Sequence, residues 1–277
     1  MSDKIEPGSI VAAVDGSEHA ERAVLWAAEQ AHLESRRLAI VAVGDRAQAI
    51  SDDSVRLPRR LHPELAVQAL ARAGDPREVL IRLSSQARLL VVGSRGCGSL
   101  KSLLLGSVSA AVSSYAACPV VVCRPTVAGD HRHGVIVAAD GSPESLPVLE
   151  FAYHQASLRG LSLTVLHCFW DAAAAVAEYR RALGKEAAAP DLEDLRDVVA
   201  NSVAGFADTY PDVPVTIELK HGFVDEALRP RDSEWDLIVV GRHPMTSIAR
   251  AMTGSIATAV LERARTTVAV VPQAPAR

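Results

Sequence analysis

Leu89-Leu90-Val91-Val92-Gly93-Ser94-Arg95-Gly96 ends an apolar run and opens a loop that closes, nine residues later, on Gly106-Ser107. Four consecutive apolar residues bounded by glycine read as a strand buried on both faces. Beyond Ser107, Val108, Ala111, Val112 and Tyr115 recur at helical spacing, which predicts a helix starting there. Strand, glycine loop and helix in this order are one step of a parallel α/β sheet. The loop also carries chemistry. Glycine permits positive φ and lacks the Cβ that would hold a phosphate away, so successive N–H groups can converge on an anion. The unpaired N–H groups of a helix start add to that attraction, and the hydroxyls of Ser107 and Ser109 are further candidate donors. A purely structural strand-to-helix turn would use the same glycines, so the rest of the chain has to separate the two readings.

The sequence is written twice. Val11-Ala12-Ala13-Val14-Asp15-Gly16-Ser17 returns 125 residues later as Ile136-Val137-Ala138-Ala139-Asp140-Gly141-Ser142. Leu89 to Gly93 returns as Leu237-Ile238-Val239-Val240-Gly241, and Gly106-Ser107 as Gly254-Ser255, both at an offset of 148. A chain of 277 residues is long enough for two domains, each with its own core. The predicted architecture is α/β: two tandem, open, parallel five-stranded sheets of Rossmann-like type with helices on both faces, over residues 1–127 and 134–277. The second copy carries 23 additional residues between its second strand and the Gly222 that answers Gly74.

Strands of the first copy are expected near 10–14, 38–43, 65–70, 89–92 and 119–123. Ser17 is placed to cap a helix bearing Ala20, Ala23, Val24, Ala27, Ala28 and Ala31, and Asp75 with Glu78 forms a capping-box pattern. In the second copy Ser142 would cap likewise, with Pro143 at the first helical position. The additional residues there predict a helix from Asp191 with Leu192, Leu195, Val198, Val199, Val203 and Phe206 on one face. The first copy has only the polar stretch Gly44 to Glu64, broken by Pro58 and Pro63, so its second helix is expected to be shortened, missing or disordered.

Composition excludes several classes of function. The net charge is -4 and basic residues form no cluster, which leaves no electrostatic footprint for nucleic acid. Neither a signal-peptide layout nor an apolar run of membrane-spanning length occurs, so a soluble, cytoplasmic protein is expected. The cysteines Cys97, Cys118, Cys123 and Cys168 include no C-x-x-C pair and imply neither disulfide nor zinc. Cys97 is noted only as a thiol beside the phosphate loop. His131 and His133 flank Arg132 in the linker and read as solvated, and no metal ligand is assigned.

The Asp15-Gly16-Ser17 turn, the pattern of Gly93, Gly96, Gly106 and Ser107, and the closing run Cys118-Pro119-Val120-Val121-Val122 together resemble a tandem universal stress protein of the nucleotide-binding branch. The resemblance spans nearly the whole chain. It implies an adenine nucleotide alpha hydrolase-like domain that holds ATP outside the carboxyl ends of its strands, where open α/β sheets bind their ligands. Carried over by residue, Asp15 would sit at the adenosine end and Val43 would offer backbone groups to adenine. Gly93, Arg95, Gly96, Gly106, Ser107, Val108 and Ser109 would surround ribose and phosphates. Asp15 could equally serve as an Asx-turn residue. The second copy keeps Asp140, Gly241, Gly254 and Ser255, but Pro244 stands where the second glycine belongs and has no N–H to give. Ala257 replaces the hydroxyl of Ser109. The resemblance therefore implies an intact site in the first copy and a degenerate one in the second. It also implies antiparallel pairing of the apolar run Val120-Val121-Val122 with Thr267-Val268-Ala269-Val270-Val271. Association of two chains as a homodimer and a regulatory protein partner are expected on the same ground, though no stretch of sequence supplies their contact surfaces.

No G-x-x-x-x-G-K-[ST] loop, G-x-S-x-G elbow or evident acid or base accompanies the phosphate pattern, so no catalytic residue is assigned. Mg²⁺ accompanying ATP would be held mainly by phosphate oxygens, with help from Asp15 or Asp140. The leading expectation is an ATP-binding regulatory protein of the stress response. A slow ATPase or phosphotransferase, and a nucleotide-free interaction module, stand as the alternatives.

Overall fold

A computed structural model describes residues 4–96, 105–125, 133–169, 192–228, 234–242 and 256–274. The chain divides into two compact units, one of residues 1–128 with 261–272 and the other of residues 129–260 with 273–277. The first unit thus takes in a stretch from near the C-terminus.

In the first unit the chain runs β1 (Ile10–Val14), α1 (Glu18–Leu33), β2 (Leu38–Val43), α2 (Ala47–Ser54), α3 (Arg56–Leu61), β3 (Val67–Arg72), α4 (Pro76–Leu83), β4 (Leu89–Gly93), α5 (Ser107–Tyr115) and β5 (Val120–Cys123). The strands lie in the order β3-β2-β1-β4-β5, all parallel, with Ile10 opposite both Leu38 and Leu89. Residues of β1, β2, β4 and β5 are buried almost without interruption, as strands covered on both faces must be. In the edge strand β3 only Leu70 is buried. The opposite margin, at β5, is covered by β10 (Val268–Pro272), which pairs antiparallel with Val268 facing Val122 and Val270 facing Val120. That pairing is why the last strand groups with the first unit.

Helix α1 is set by its sequence. Ser17 accepts a hydrogen bond from the Ala20 N–H at 3.2 Å, and the small residues Ala20, Ala23, Ala27, Ala28 and Ala31 are all buried. The polar stretch after Gly44 is neither missing nor a single helix. It forms α2 and α3, of eight and six residues. Pro58 is tolerated because it falls in the first turn of α3, where an N–H has no helical acceptor to lose.

The second unit runs β6 (Val135–Ala138), a short 3₁₀ turn (Pro143–Ser145), α6 (Leu146–Arg159), β7 (Leu163–Phe169), α7 (Glu193–Ala207), β8 (Val215–His221), α8 (Val224–Leu228), β9 (Leu237–Arg242) and α9 (Ile256–Arg263), the last helix ending in residues grouped with the first unit. Its strands lie in the order β9-β6-β7-β8, all parallel. Two expectations need correcting here. Ser142 makes no side-chain cap; its hydroxyl donates to Asp140 Oδ1 at 2.6 Å, and Pro143 opens a 3₁₀ turn before the helix. Nor does α7 bury the whole predicted stripe: Val199 is fully buried, whereas Val198 is 49% exposed. The helix is held instead by aromatic stacking, with Phe206 and Tyr210 on Tyr153 at ring separations of 4.9 and 5.7 Å. Asp191 lies outside the described residues.

Candidate functional site

The carboxyl ends of β1, β2 and β4 and the start of α5 enclose a cavity of about 370 Å³ in the first unit. Asp15, Val43, Gly93, Arg95, Gly96, Gly106, Ser107, Val108 and Ser109, the nine residues singled out in the first copy, all line it. Its volume falls in the range of small-molecule sites. Val41, Pro76 and Leu80 supply an apolar wall that the glycine pattern gave no means of finding.

Each polar wall residue is placed by local chemistry. Asp15 closes an Asx turn: its Oδ1 accepts the Ser17 N–H at 3.0 Å and the Ser17 hydroxyl at 2.7 Å. Its Oδ2 is the atom that any side chain on Gly96 would strike. A side chain on Gly96 would thus displace the Asp15 carboxylate from its present position.

Gly93 lines the cavity and also makes room for a neighbouring element. A Cβ there would stand 2.7 Å from the His19 backbone and not in the cavity, so this glycine lets α1 pack against the end of β4. Its carbonyl accepts the hydroxyl of Ser109 at 2.6 Å, and Ser109 is buried. Ser109 consequently anchors α5 to β4, its hydroxyl proton directed at that carbonyl. The Gly106 N–H is likewise used, donating to the Ser94 carbonyl at 2.8 Å. Gly106 has an extended backbone, with φ -74° and ψ 151°, and no side chain caps α5. The N–H groups of Ser107, Val108 and Ser109 belong to a first turn that has no intrahelical acceptors, and this turn borders the cavity.

Arg95 supplies positive charge at the wall. Behind it His19 lies 3.3 Å from the Ser94 hydroxyl, and its pKa is lowered from 6.5, first by burial and then by Arg95 and Arg22, against smaller opposing effects of Glu18 and Asp15. Burial, and after it the same charge that would attract a phosphate, thus disfavour the protonated histidine. Nothing in its sequence spacing marked it.

In the second unit Asp140 repeats the Asx turn, accepting the Ser142 N–H at 3.0 Å. Burial pushes its carboxyl up, but the hydrogen bonds from Ser142 and Ser145 outweigh this and leave its pKa lowered. Gly241 is crowded by the Gln273 side chain, at 2.8 Å from a notional Cβ, in place of a helix backbone. Ala257 is buried where Ser109 stands in the first unit. Alanine there lacks the hydroxyl that anchors the helix start in the first unit. Gly254, Ser255 and Pro244 lie outside the described residues, as does Cys97. Cys118 and Cys123 are buried and, like Cys168, unbridged. His133 pairs with Glu234 at 2.9 Å. Among the described residues no helix is long and apolar enough to cross a membrane.

Comparison with known proteins gives a consistent family. The universal stress protein Rv2005c of Mycobacterium tuberculosis is 29% identical over 300 aligned positions, covering 99% of this chain and all of that one. A universal stress protein of Archaeoglobus fulgidus has a similar fold, with a TM-score of 0.68 at 19% identity over 97% of this chain and 99% of its own. A universal stress protein solved in complex with cAMP is 26% identical and covers 43% of this chain, with a TM-score of 0.37. The model of the Universal stress protein family matches twice, over residues 8–124 and 132–272. The chain belongs to the universal stress protein family, with two copies of its domain in tandem.

Proposed function

We propose that the first unit binds an adenine nucleotide, ATP foremost, in the cavity at the ends of β1, β2 and β4, and that occupancy regulates a partner in the stress response. The observation that carries the reading is convergence: nine residues chosen for phosphate and nucleoside chemistry, spread from position 15 to 109, wall one cavity. Val41 and Leu80 offer a flat apolar base or sugar its surface. The first turn of α5 and Arg95 offer phosphates donors and charge. Asp15, the carboxylate among the lining residues, is placed to share a Mg²⁺ carried by the phosphates. Binding is preferred over turnover because the described cavity wall presents Asp15 as its single carboxylate and no histidine as a base.

The second unit is proposed to bind nucleotide more weakly. Pro244 stands where the first copy has Gly96 and has no N–H to give an anion. Mass spectrometry of the small molecules released when the purified protein is denatured tests the assignment. The expected result is an adenine nucleotide near one per chain. An adenine-free preparation that also takes up no ATP on titration overturns it.

A further inference from the structure

On the first unit, away from the nucleotide cavity, His32, His62 and Glu64 bring one ligand atom each to within 4.8 Å of one another. His32 sits in the last turn of α1, His62 caps the C-terminus of α3, and Glu64 follows in the turn to β3. Both imidazole Nδ1 atoms address the same oxygen: His32 Nδ1 is 2.9 Å and His62 Nδ1 3.9 Å from Glu64 Oε1. The rings stack at 4.4 Å. On its far side, His62 Nε2 lies 3.3 Å from Glu29 Oε2. Glu29 is placed to accept an Nε2–H, which would leave the Nδ1 lone pair for the cluster, the arrangement of outer-shell carboxylates behind metal-bound histidines.

From this geometry we infer a divalent transition-metal site, of zinc type, formed by His32, His62 and Glu64 and supported by Glu29. Two imidazoles and one carboxylate suit Zn²⁺, whereas Mg²⁺ prefers oxygen ligands alone. Charge agrees as well: two carboxylates balance a dication, and the C-terminal end of α1 favours positive charge. The turn is preformed, since the His62 N–H donates to the Pro58 carbonyl at 2.8 Å and the Leu65 N–H to the His62 carbonyl at 3.0 Å. A bound ion would clip α1 to the turn preceding β3.

The second unit provides an internal control. At the same offsets of 125 and 148 it has Ser157, Tyr210 and Asp212, and it builds the same turn, with Tyr210 N–H on the Phe206 carbonyl at 2.8 Å. There the helix is tied to the turn by a Ser157 to Asp212 hydrogen bond of 2.8 Å. The first unit carries metal-ligand side chains where its twin carries an ordinary polar contact.

Titration of the full chain with Zn²⁺ by calorimetry, in nucleotide-free buffer near neutral pH, tests the site. One tight equivalent per chain is expected, unaffected by an equal concentration of Mg²⁺. His32→Ala and Glu64→Ala should each abolish the tight phase, and both side chains are exposed, at 46% and 62%, so folding is checked simply by circular dichroism. Glu29→Gln, which keeps all three ligands, should weaken binding by about ten- to a hundredfold. Equal Zn²⁺ affinity in the wild type and in folded His32→Ala, absence of a tight phase in the wild type, or displacement of the ion by Mg²⁺ would overturn the assignment.

Discussion

Gly93 and Gly96 stand three positions apart and are alike in sequence, yet their missing side chains make room for different things. At Gly93 the space is taken by the backbone of His19, and at Gly96 by the carboxylate of Asp15. The glycine pattern was legible as a close approach; what approaches was not, because the occupants come from the turn after β1 and the start of α1, about 75 to 80 positions away in sequence. The same holds for Ser109, whose hydroxyl reads as a ligand donor but is buried on the Gly93 carbonyl. Replacing Ser109 by Ala should cost about 1–3 kcal/mol, the range for leaving a buried acceptor unpaired, read from urea unfolding. An unchanged midpoint would contradict the anchoring role. His19 gives a pH prediction. Its pKa is lowered from 6.5, so as pH falls below that value the native state resists protonation that the unfolded chain accepts, and stability declines. Phosphates beside Arg95 would relieve that charge and raise the pKa, so nucleotide binding should take up a proton and tighten as pH falls through this region. Calorimetry in buffers of different ionisation enthalpy should detect this uptake in the wild type and a smaller one in His19→Gln. The same uptake in both would place His19 outside the site's electrostatics.

At the scale of elements, the strands were legible because continuous apolar runs have few alternatives to a doubly covered sheet. The segment from Gly44 to Glu64 was less so. Its prolines suggested interruption, but Pro58 falls in the first turn of α3 and costs no hydrogen bond. The extra helix α7 was expected, but its buried stripe was overdrawn: helical spacing marks Val198 and Val199 alike, and the packing of the fold, in which Val199 is buried and Phe206 stacks on Tyr153, distinguishes them. Phe206→Ala should accordingly destabilise the second unit by about 1–3 kcal/mol, less than a fully buried aromatic would, visible as an earlier unfolding transition. Stability equal to the wild type would mean that the stacked rings contribute nothing to α7. Ser142 shows the limit of analogy between the copies. It occupies the position of Ser17, yet the proline after it turns the helix start into a 3₁₀ turn, and the cap is lost.

For the whole molecule, a duplicated sequence has produced two units of parallel α/β type that differ at equivalent positions. In the first, the ends of β1, β2 and β4 open on a cavity walled by every residue its sequence nominated. In the second, a glutamine side chain stands against the corresponding glycine. Asymmetry is the functional expectation: one strong nucleotide site per chain. Calorimetric titration of ATP into the full chain, beside Gly96→Val, measures this directly. The wild type should bind close to one equivalent, and the folded variant, whose added side chain meets Asp15 and fills the cavity, should lose about a hundredfold or more in affinity, the scale of two charge-assisted hydrogen bonds. Undiminished ATP binding by a Gly96→Val protein with unchanged circular dichroism would contradict the account.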